Sequence, residues 1–253
     1  MNTYRTAEIA HRFGIHPNTV RLYEELGLIP RPERKANGYR VFTDFHVEQL
    51  KLARTALEVE VLQNGLRKQA IAIIKASSAG NFDKAIHLTE RYGQQIKTEQ
   101  TNAEEAIAIA EKLLSGENQE RSNARLTRRE TADLLQISID ALRNWEMNGL
   151  LTVKRKQNGY RVYSDQDIRR LKMIRALRCA NYSLAAILRM LNALSRDPKA
   201  DLRATIDTPE ENDDVISVCD KLLTSLQVAD TNARIILTQL EAMKKQFATN
   251  PPL

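Results

Sequence analysis

Part of this chain is written twice, and the duplication constrains the fold more than any other feature. The segment TVRLYEELGLIPRPERKANGYRVFTD, residues 19–44, aligns with ALRNWEMNGLLTVKRKQNGYRVYSD, residues 141–165. The register is offset by 122 residues up to the shared Gly27 and Gly149, and by 121 from the shared Asn37 and Asn158. One residue is therefore missing in a charged connector, where loops accept deletions most readily. Upstream the match continues, pairing Ala10 with Ala132 and Ile15 with Ile137. Two copies of one module are present, and the fold has to house both.

Each copy reads as two short helices followed by a hairpin. In the first, Ala7, Ile9, Ala10 and Phe13 mark an apolar helical face. Gly14 supplies the positive φ of a tight turn, and Pro17 suits the first turn of the next helix. Val20, Tyr23, Leu26 and Leu28 then carry that helix's buried side. In the second copy Thr127 and Glu130 fit a capping box ahead of Ala132, Leu134 and Leu135. Ser138 is placed to cap the helix bearing Leu142 and Trp145. Gln136 replaces the turn glycine, which leaves that turn's geometry open. A short extended piece follows each helix pair, Leu28 to Arg31 or Leu150 to Lys154. A polar tip, Asn37-Gly38 or Asn158-Gly159, then leads to YRVF or YRVY, a hairpin signal. The expected fold class is mainly α: two winged helix-turn-helix domains, each with a short β-hairpin wing, joined by long coiled-coil-forming helices.

Composition agrees with a helical body. Aromatic residues are 5% of 253, too few for a large aromatic-rich β sandwich. Charge is uneven: residues 121–178 hold 14 Lys+Arg against 6 Asp+Glu, and residues 1–54 hold 9 against 6, while the whole chain is only +6. The remainder is acidic. Basic segments separated by acidic ones suggest two anion-facing patches, with nucleic acid the commonest partner, although solvated arginines on helix surfaces give the same tally.

A helix-turn-helix offers its second helix to the major groove while neighbouring segments grip phosphates. The exposed candidates are Asn18, Thr19 and Arg21 in the first copy, and Asp140, Arg143 and Asn144 in the second. Around the wing tips lie Arg31, Arg34, Lys35, Asn37, Tyr39 and Arg40, or Lys154, Arg155, Lys156, Asn158, Tyr160 and Arg161. These have the reach and charge to neutralise phosphates. Tyr39 and Tyr160 either donate a hydroxyl to phosphate or pack the wing onto the helices. Tyr23 joins the candidate interface by position, but it and Trp145 are assigned chiefly to packing.

The run TVRLYEELGLIPRPERKANGYRVFTDFHVEQL resembles the DNA-binding domain of MerR-type transcriptional regulators: an Arg-x-Tyr-Glu helix, a Gly-Leu exit, a charged wing and Gly-Tyr-Arg-x-Tyr. The second copy, LRNWEMNGLLTVKRKQNGYRVYSDQDIRRL, is similar but carries Trp145 where the family usually has Tyr. The resemblance spans somewhat under half of the chain. It implies that Arg21, Arg143, Tyr39, Arg40, Tyr160 and Arg161 face DNA. It also implies a promoter-binding regulator acting as a two-fold pair, joined by antiparallel helices, that distorts DNA between half-sites. Family members usually carry one such domain per chain, so two is a departure.

The remaining sequence is helical. Val47, Leu50, Leu57, Val61, Leu62, Leu66, Ile71, Ile73 and Ile74 continue a helical pattern to a break at residues 77–81. Residues 83–115 suit one long helix with a seam of Ala85, Thr89, Tyr92, Ile96, Glu99, Ala103, Ala106, Ala110 and Leu113. Thr208-Pro209-Glu210-Glu211 reads as a helix start. Val215, Cys219, Leu222, Leu226, Ala229, Ala233, Ile236, Leu240, Met243 and Phe247 then follow four-three spacing, the signature of a coiled-coil seam. The expected segmentation is 1–76 and 123–195 for the two modules with their following helices, 82–116 for the linking helix and 209–248 for the C-terminal helix. Two pairings are open: the 83–115 helix against 213–247 within one chain, a monomeric pseudo-dimer, or the C-terminal helix against its copy in a homodimer. The first is preferred because duplication already supplies two heads.

No glycine loop for phosphate, HExxH or GxSxG motif occurs, so enzyme function is not expected. No cofactor and no metal site are expected either. His11, His16, His46 and His87 are scattered. Cys219 sits on the seam as a small core residue. Cys179 reads as structural, with a sensing thiol the alternative. The N-terminus lacks a signal core and no stretch approaches a membrane span of roughly 18 apolar residues. A cytoplasmic, nucleoid-associated bacterial protein is expected, with double-stranded DNA as partner, RNA polymerase at a promoter as a further one, and no membrane. The leading function is a sequence-specific transcription regulator. The alternatives are a DNA-bending architectural or recombination factor, or a helical interaction scaffold.

Overall fold

The computed structural model describes residues 2–59, 65–115, 125–153, 161–197, 199–208 and 221–247. The chain divides into two compact units, residues 1–97 with 226–253, and residues 98–225. It is mainly helical, as the sequence predicts, with small antiparallel sheets.

The first unit opens with β1 (Thr3–Tyr4), α1 (Thr6–Arg12) and α2 (Pro17–Glu25), followed by β2 (Glu33–Arg34) and β3 (Arg40–Thr43). α1 ends because Gly14 adopts φ 60, letting Gly14 N–H reach the carbonyl of His11 and Ile15 N–H that of Ala10. This closure satisfies the orphan carbonyls of the last turn. Pro17 starts α2, where a missing N–H costs nothing, and the His16 ring accepts the Asn18 N–H at 3.2 Å. Ile9, Ala10, Val20, Ile29, Phe42, Val47 and Leu50 form the core beneath, with Tyr4, Phe13, Ile15 and Tyr23 packed on it.

The wing differs in detail from the sequence expectation. Leu28 and Ile29 are buried core residues, not strand, and the strand starts later, at Glu33. β3 is central, pairing Arg34↔Arg40 with β2 and Tyr4↔Phe42 with β1. Lys35 N–H donates to the Tyr39 carbonyl and Gly38 N–H to that of Lys35, so the tip is a three-residue loop closed by Gly38 at φ 80. Ala7 and Leu26 are exposed rather than buried.

The helical pattern after the wing is two helices, α3 (Asp44–Leu57) and α4 (Leu66–Ser78), the second entered through Gly65 at φ 78. Val61 and Leu62 lie outside the described residues. Gln49, fully buried on α3, ties the unit together: its Nε2 donates to the carbonyls of Leu28 and Ile74, both at 2.9 Å, and its Oε1 accepts from Ser77 Oγ at 2.7 Å. Such a network holds only when every member is satisfied.

α5 (Phe82–Ser115) contributes to both units; its 34 residues correspond to about 51 Å at 1.5 Å per residue. Of its expected seam, Ala85, Thr89, Tyr92, Ile96, Ala103, Ala106 and Ala110 are buried, while Glu99 and Leu113 are half-buried. The C-terminal helix, α11 (Leu222–Phe247), buries every expected seam position from Leu222 to Phe247. In the first unit Phe247 packs edge-on to Phe45 of α3 at 5.2 Å, Gln239 donates to the Glu48 carbonyl, and Lys244 pairs with Asp83. Val215, Cys219 and the start proposed at Thr208-Pro209-Glu210-Glu211 fall, beyond Thr208, outside the described residues.

The second unit repeats the head as β4 (Leu126–Thr127), α6 (Arg128–Leu135), α7 (Ile139–Met147) and β5 (Val162–Tyr163). Thr127 and Glu130 form the expected capping box and Ser138 Oγ accepts from the Ala141 N–H at 3.0 Å. Gln136 takes the place of Gly14 with φ 52, and Ile137 N–H donates to Ala132, so the turn geometry is reproduced without glycine. Leu126↔Tyr163 repeats the Tyr4↔Phe42 pairing of the first copy. Leu134 points to solvent instead of the core. α8 (Asp165–Cys179), α9 (Leu184–Arg196) and α10 (Leu202–Asp207) complete the unit. Among the described residues no helix is long and apolar enough to cross a membrane.

Candidate nucleic-acid interface

Position decides which side chains a head can offer. On α2, Asn18 and Arg21 are exposed and Thr19 is half-buried; Arg21 Nη1 donates to Asn18 Oδ1 at 3.3 Å, so the two present one joint polar surface. Tyr23 is half-buried against the core, in keeping with packing. On the wing, Arg34, Lys35 and Asn37 are exposed and Tyr39 is 69% exposed. Asn37 Oδ1 accepts the Tyr39 N–H, and Arg34 reaches the Gly38 carbonyl at 3.5 Å, which stiffens the tip. Lys35, Asn37, Tyr39 and Arg40 share a cleft of about 510 Å³ with Arg5 and Glu8.

In the second head, Asp140, Arg143 and Asn144 are exposed on α7. Asn148 at the helix end bonds to Asn144, donating to its carbonyl at 2.8 Å and to its side chain. Lys154, Arg155, Lys156, Asn158 and Tyr160 lie outside the described residues.

Arg40 and Arg161 have a further role that the sequence reading missed. Arg40 Nε sits 2.6 Å from Glu24 Oε2, and Arg161 Nε sits 3.2 Å from Glu146 Oε2. Glu24 and Glu146 occupy the same place in the two copies, as do the arginines. Each pair therefore fastens a wing strand to the second helix. In the second head the acid is more crowded: Arg128 Nη2 lies 2.7 Å away and the Tyr163 hydroxyl also donates to it. Burial, with the carboxylate beside it, pushes the Tyr163 phenol up to about 12. The signal was available, since opposite charges recur at matched positions of both repeats, but Arg128 has no charged counterpart in the first copy, where Thr6 stands.

Both heads thus combine an exposed polar face on the second helix with an ion pair from that helix to the strand that follows the wing, and the first head adds a basic wing. This arrangement suits phosphate gripping on either side of a groove-reading helix. Among the described residues no group of three or more His, Cys, Asp or Glu is placed to hold a metal.

Comparison with known proteins gives the same two segments. Residues 5–42 match the family model for MerR family regulatory proteins, and residues 126–194 that for MerR HTH family regulatory proteins. The chain is 37% identical over 65 residues to the mercuric resistance operon regulatory protein of Bacillus cereus, covering 26% of this chain and 49% of that protein. It is 40% identical over 53 residues to the HTH-type transcriptional regulator CueR of Salmonella typhimurium, covering 21% and 38%. To the HTH-type transcriptional regulator YfmP of Bacillus subtilis it is 36% identical over 59 residues, covering 23% and 42%. The chain spans less than half the length of these relatives. No solved structure matches it significantly.

Proposed function

We propose that this chain, which carries two MerR-type domains in tandem, is a transcriptional regulator that binds double-stranded DNA sequence-specifically, both heads acting on one imperfectly palindromic site. The carrying observation is that the same head is built twice with the same turn, strand register and helix-to-wing ion pair, yet presents different side chains. Asn18, Thr19 and Arg21 read bases in one head, and Asp140, Arg143 and Asn144 in the other. Arg34, Lys35, Asn37 and Tyr39, with Lys154, Arg155, Lys156, Asn158 and Tyr160, hold phosphates. Arg40 and Arg161 serve DNA through their hold on the wings, and Tyr23 through packing.

A monomeric pseudo-dimer fits this reading, because the α11 seam from Leu222 to Phe247 is already buried within a single chain, although Val228 and Ile235 on another face stay exposed. Light scattering should give one chain's mass. RNA polymerase at a bacterial promoter is the partner that in vitro transcription would reveal.

Selection of bound duplexes from a random pool tests the proposal. The recovered motif should contain two related but unequal half-sites. Arg21→Ala and Arg143→Ala should each weaken binding by more than about 1 kcal/mol. Full affinity for a single half-site would refute the two-headed reading.

A further inference from the structure

The second unit has a trough far from any use made of it so far. Three helices line it: α5 through Glu105 and Ile109, α6 through Leu134, and α8 through Lys172, Arg175 and Cys179, enclosing about 620 Å³. That is within the roughly 300–1,000 Å³ typical of small-molecule sites. Part of its wall is apolar and yet open to water: Ile109 is 47% exposed and Leu134 is 52% exposed, and both line the trough. Exposed branched side chains converging from two helices form a surface that gains free energy when an apolar body covers it.

The basic groups are equally underused. Lys172 and Arg175 are one turn apart on α8 and share this wall. Lys172 has no ion-pair partner among the described residues, and Arg175 Nε is buried without a hydrogen-bond acceptor. The guanidinium's remaining contact, to Gln136 Oε1, is long at 3.5 Å. The Nη end of the guanidinium is thus only weakly held beside the Lys172 ammonium, and an incoming oxyanion would be favoured there. Glu105 stands on the facing wall and limits the tolerated charge to one, since a second negative charge would meet a carboxylate in a partly desolvated space.

We propose that this trough binds an amphipathic monocarboxylate, its carboxylate on Lys172 and Arg175 and its hydrocarbon body against Ile109 and Leu134. The site involves none of the side chains assigned to DNA, so its failure and that of the DNA-binding reading are separable.

Cys179 is exposed and lies in the same lining, which gives a direct readout. The full chain is alkylated with iodoacetamide in the presence of octanoate, octan-1-ol or octylammonium, and each cysteine peptide is followed separately by mass spectrometry. Octanoate at about four times its Kd should slow alkylation of Cys179 about fivefold by mass action, with Cys219 unaffected. The alcohol should protect less and the ammonium least. Lys172→Gln with Arg175→Gln should abolish protection by octanoate. If that variant fails to fold, the order of the three head groups on the unaltered chain decides alone. Absence of protection by octanoate, or equal protection by all three amphiphiles, would overturn the proposal.

Discussion

Removing the Glu146 carboxylate should loosen the second head more than any other single surface-proximal change. Its side chain is 6% exposed and faces Arg128 at 2.7 Å, Arg161 at 3.2 Å and the Tyr163 hydroxyl. Glu146→Ala leaves two guanidinium groups and a phenol without their acceptor. Breaking a fully buried pair costs about 3–5 kcal/mol. Arg128 and Arg161 retain 27% and 33% exposure, so water recovers part of that, and we expect about 2–3 kcal/mol. Glu24→Ala in the first head removes one ion pair only and should cost less, about 1–2 kcal/mol. The assay is urea unfolding, followed by tryptophan emission for the second head and by circular dichroism for the first. Trp145 is the chain's single tryptophan and is buried on α7 beside Glu146, so it reports the second unit. With a urea slope of about 1–3 kcal/mol per molar, the midpoint should fall by roughly 0.7–3 M. Adding Arg161→Ala to Glu146→Ala should cost little more, because the partner is already gone. A Glu146→Ala loss below about 0.5 kcal/mol, the range of an exposed pair, would refute the clamp.

Gln136→Gly should stabilise the second unit by about 0.5–1 kcal/mol in the same assay, because a left-handed φ of 52 strains a side-chain-bearing residue by more than glycine's extra unfolded-state entropy; a loss would show that the side chain compensates. Burial pushes His46 down to about 4, against the opposing pull of Glu24. The folded state therefore holds it neutral while the unfolded chain takes a proton below about 6.5, and its contribution to stability falls as pH drops from there to about 4. Relative to His46→Gln, the wild-type unfolding free energy followed by circular dichroism should decline by about 3 kcal/mol across that window; parallel pH profiles would contradict the buried neutral imidazole. DNA affinity should fall with salt at a log-log slope of about −5 to −9, as roughly six to ten phosphate contacts require, and titration of a selected duplex at several salt concentrations would reveal a flat response if wings do not grip phosphate.

Periodicity and capping made much of this fold legible. The α11 seam and most of the α5 seam are read correctly because four-three spacing fixes a helix face without reference to any partner. Thr127, Glu130 and Ser138 cap as expected because their bonds span only three residues. What escaped is non-local or too short to have a pattern. β1 and β4 are two residues each and exist only by pairing with β3 and β5 across about forty positions. Leu28 and Ile29 look like a strand but are held in the core by the turn before them. Leu26 and Leu134 satisfy a helical period yet face solvent, since apolar spacing names a face without saying what covers it. The candidate site was legible as a list of exposed polar residues. The tie between Glu146, Arg128, Arg161 and Tyr163 was not, because it joins three elements far apart in the chain.

Footprinting of the full chain on its selected duplex tests most directly whether one polypeptide grips DNA with two heads. We expect two protected tracts on one duplex from one chain, with Arg21→Ala weakening one tract and Arg143→Ala the other. A single tract lost equally with either substitution, or an unprotected duplex at low ionic strength, would contradict it.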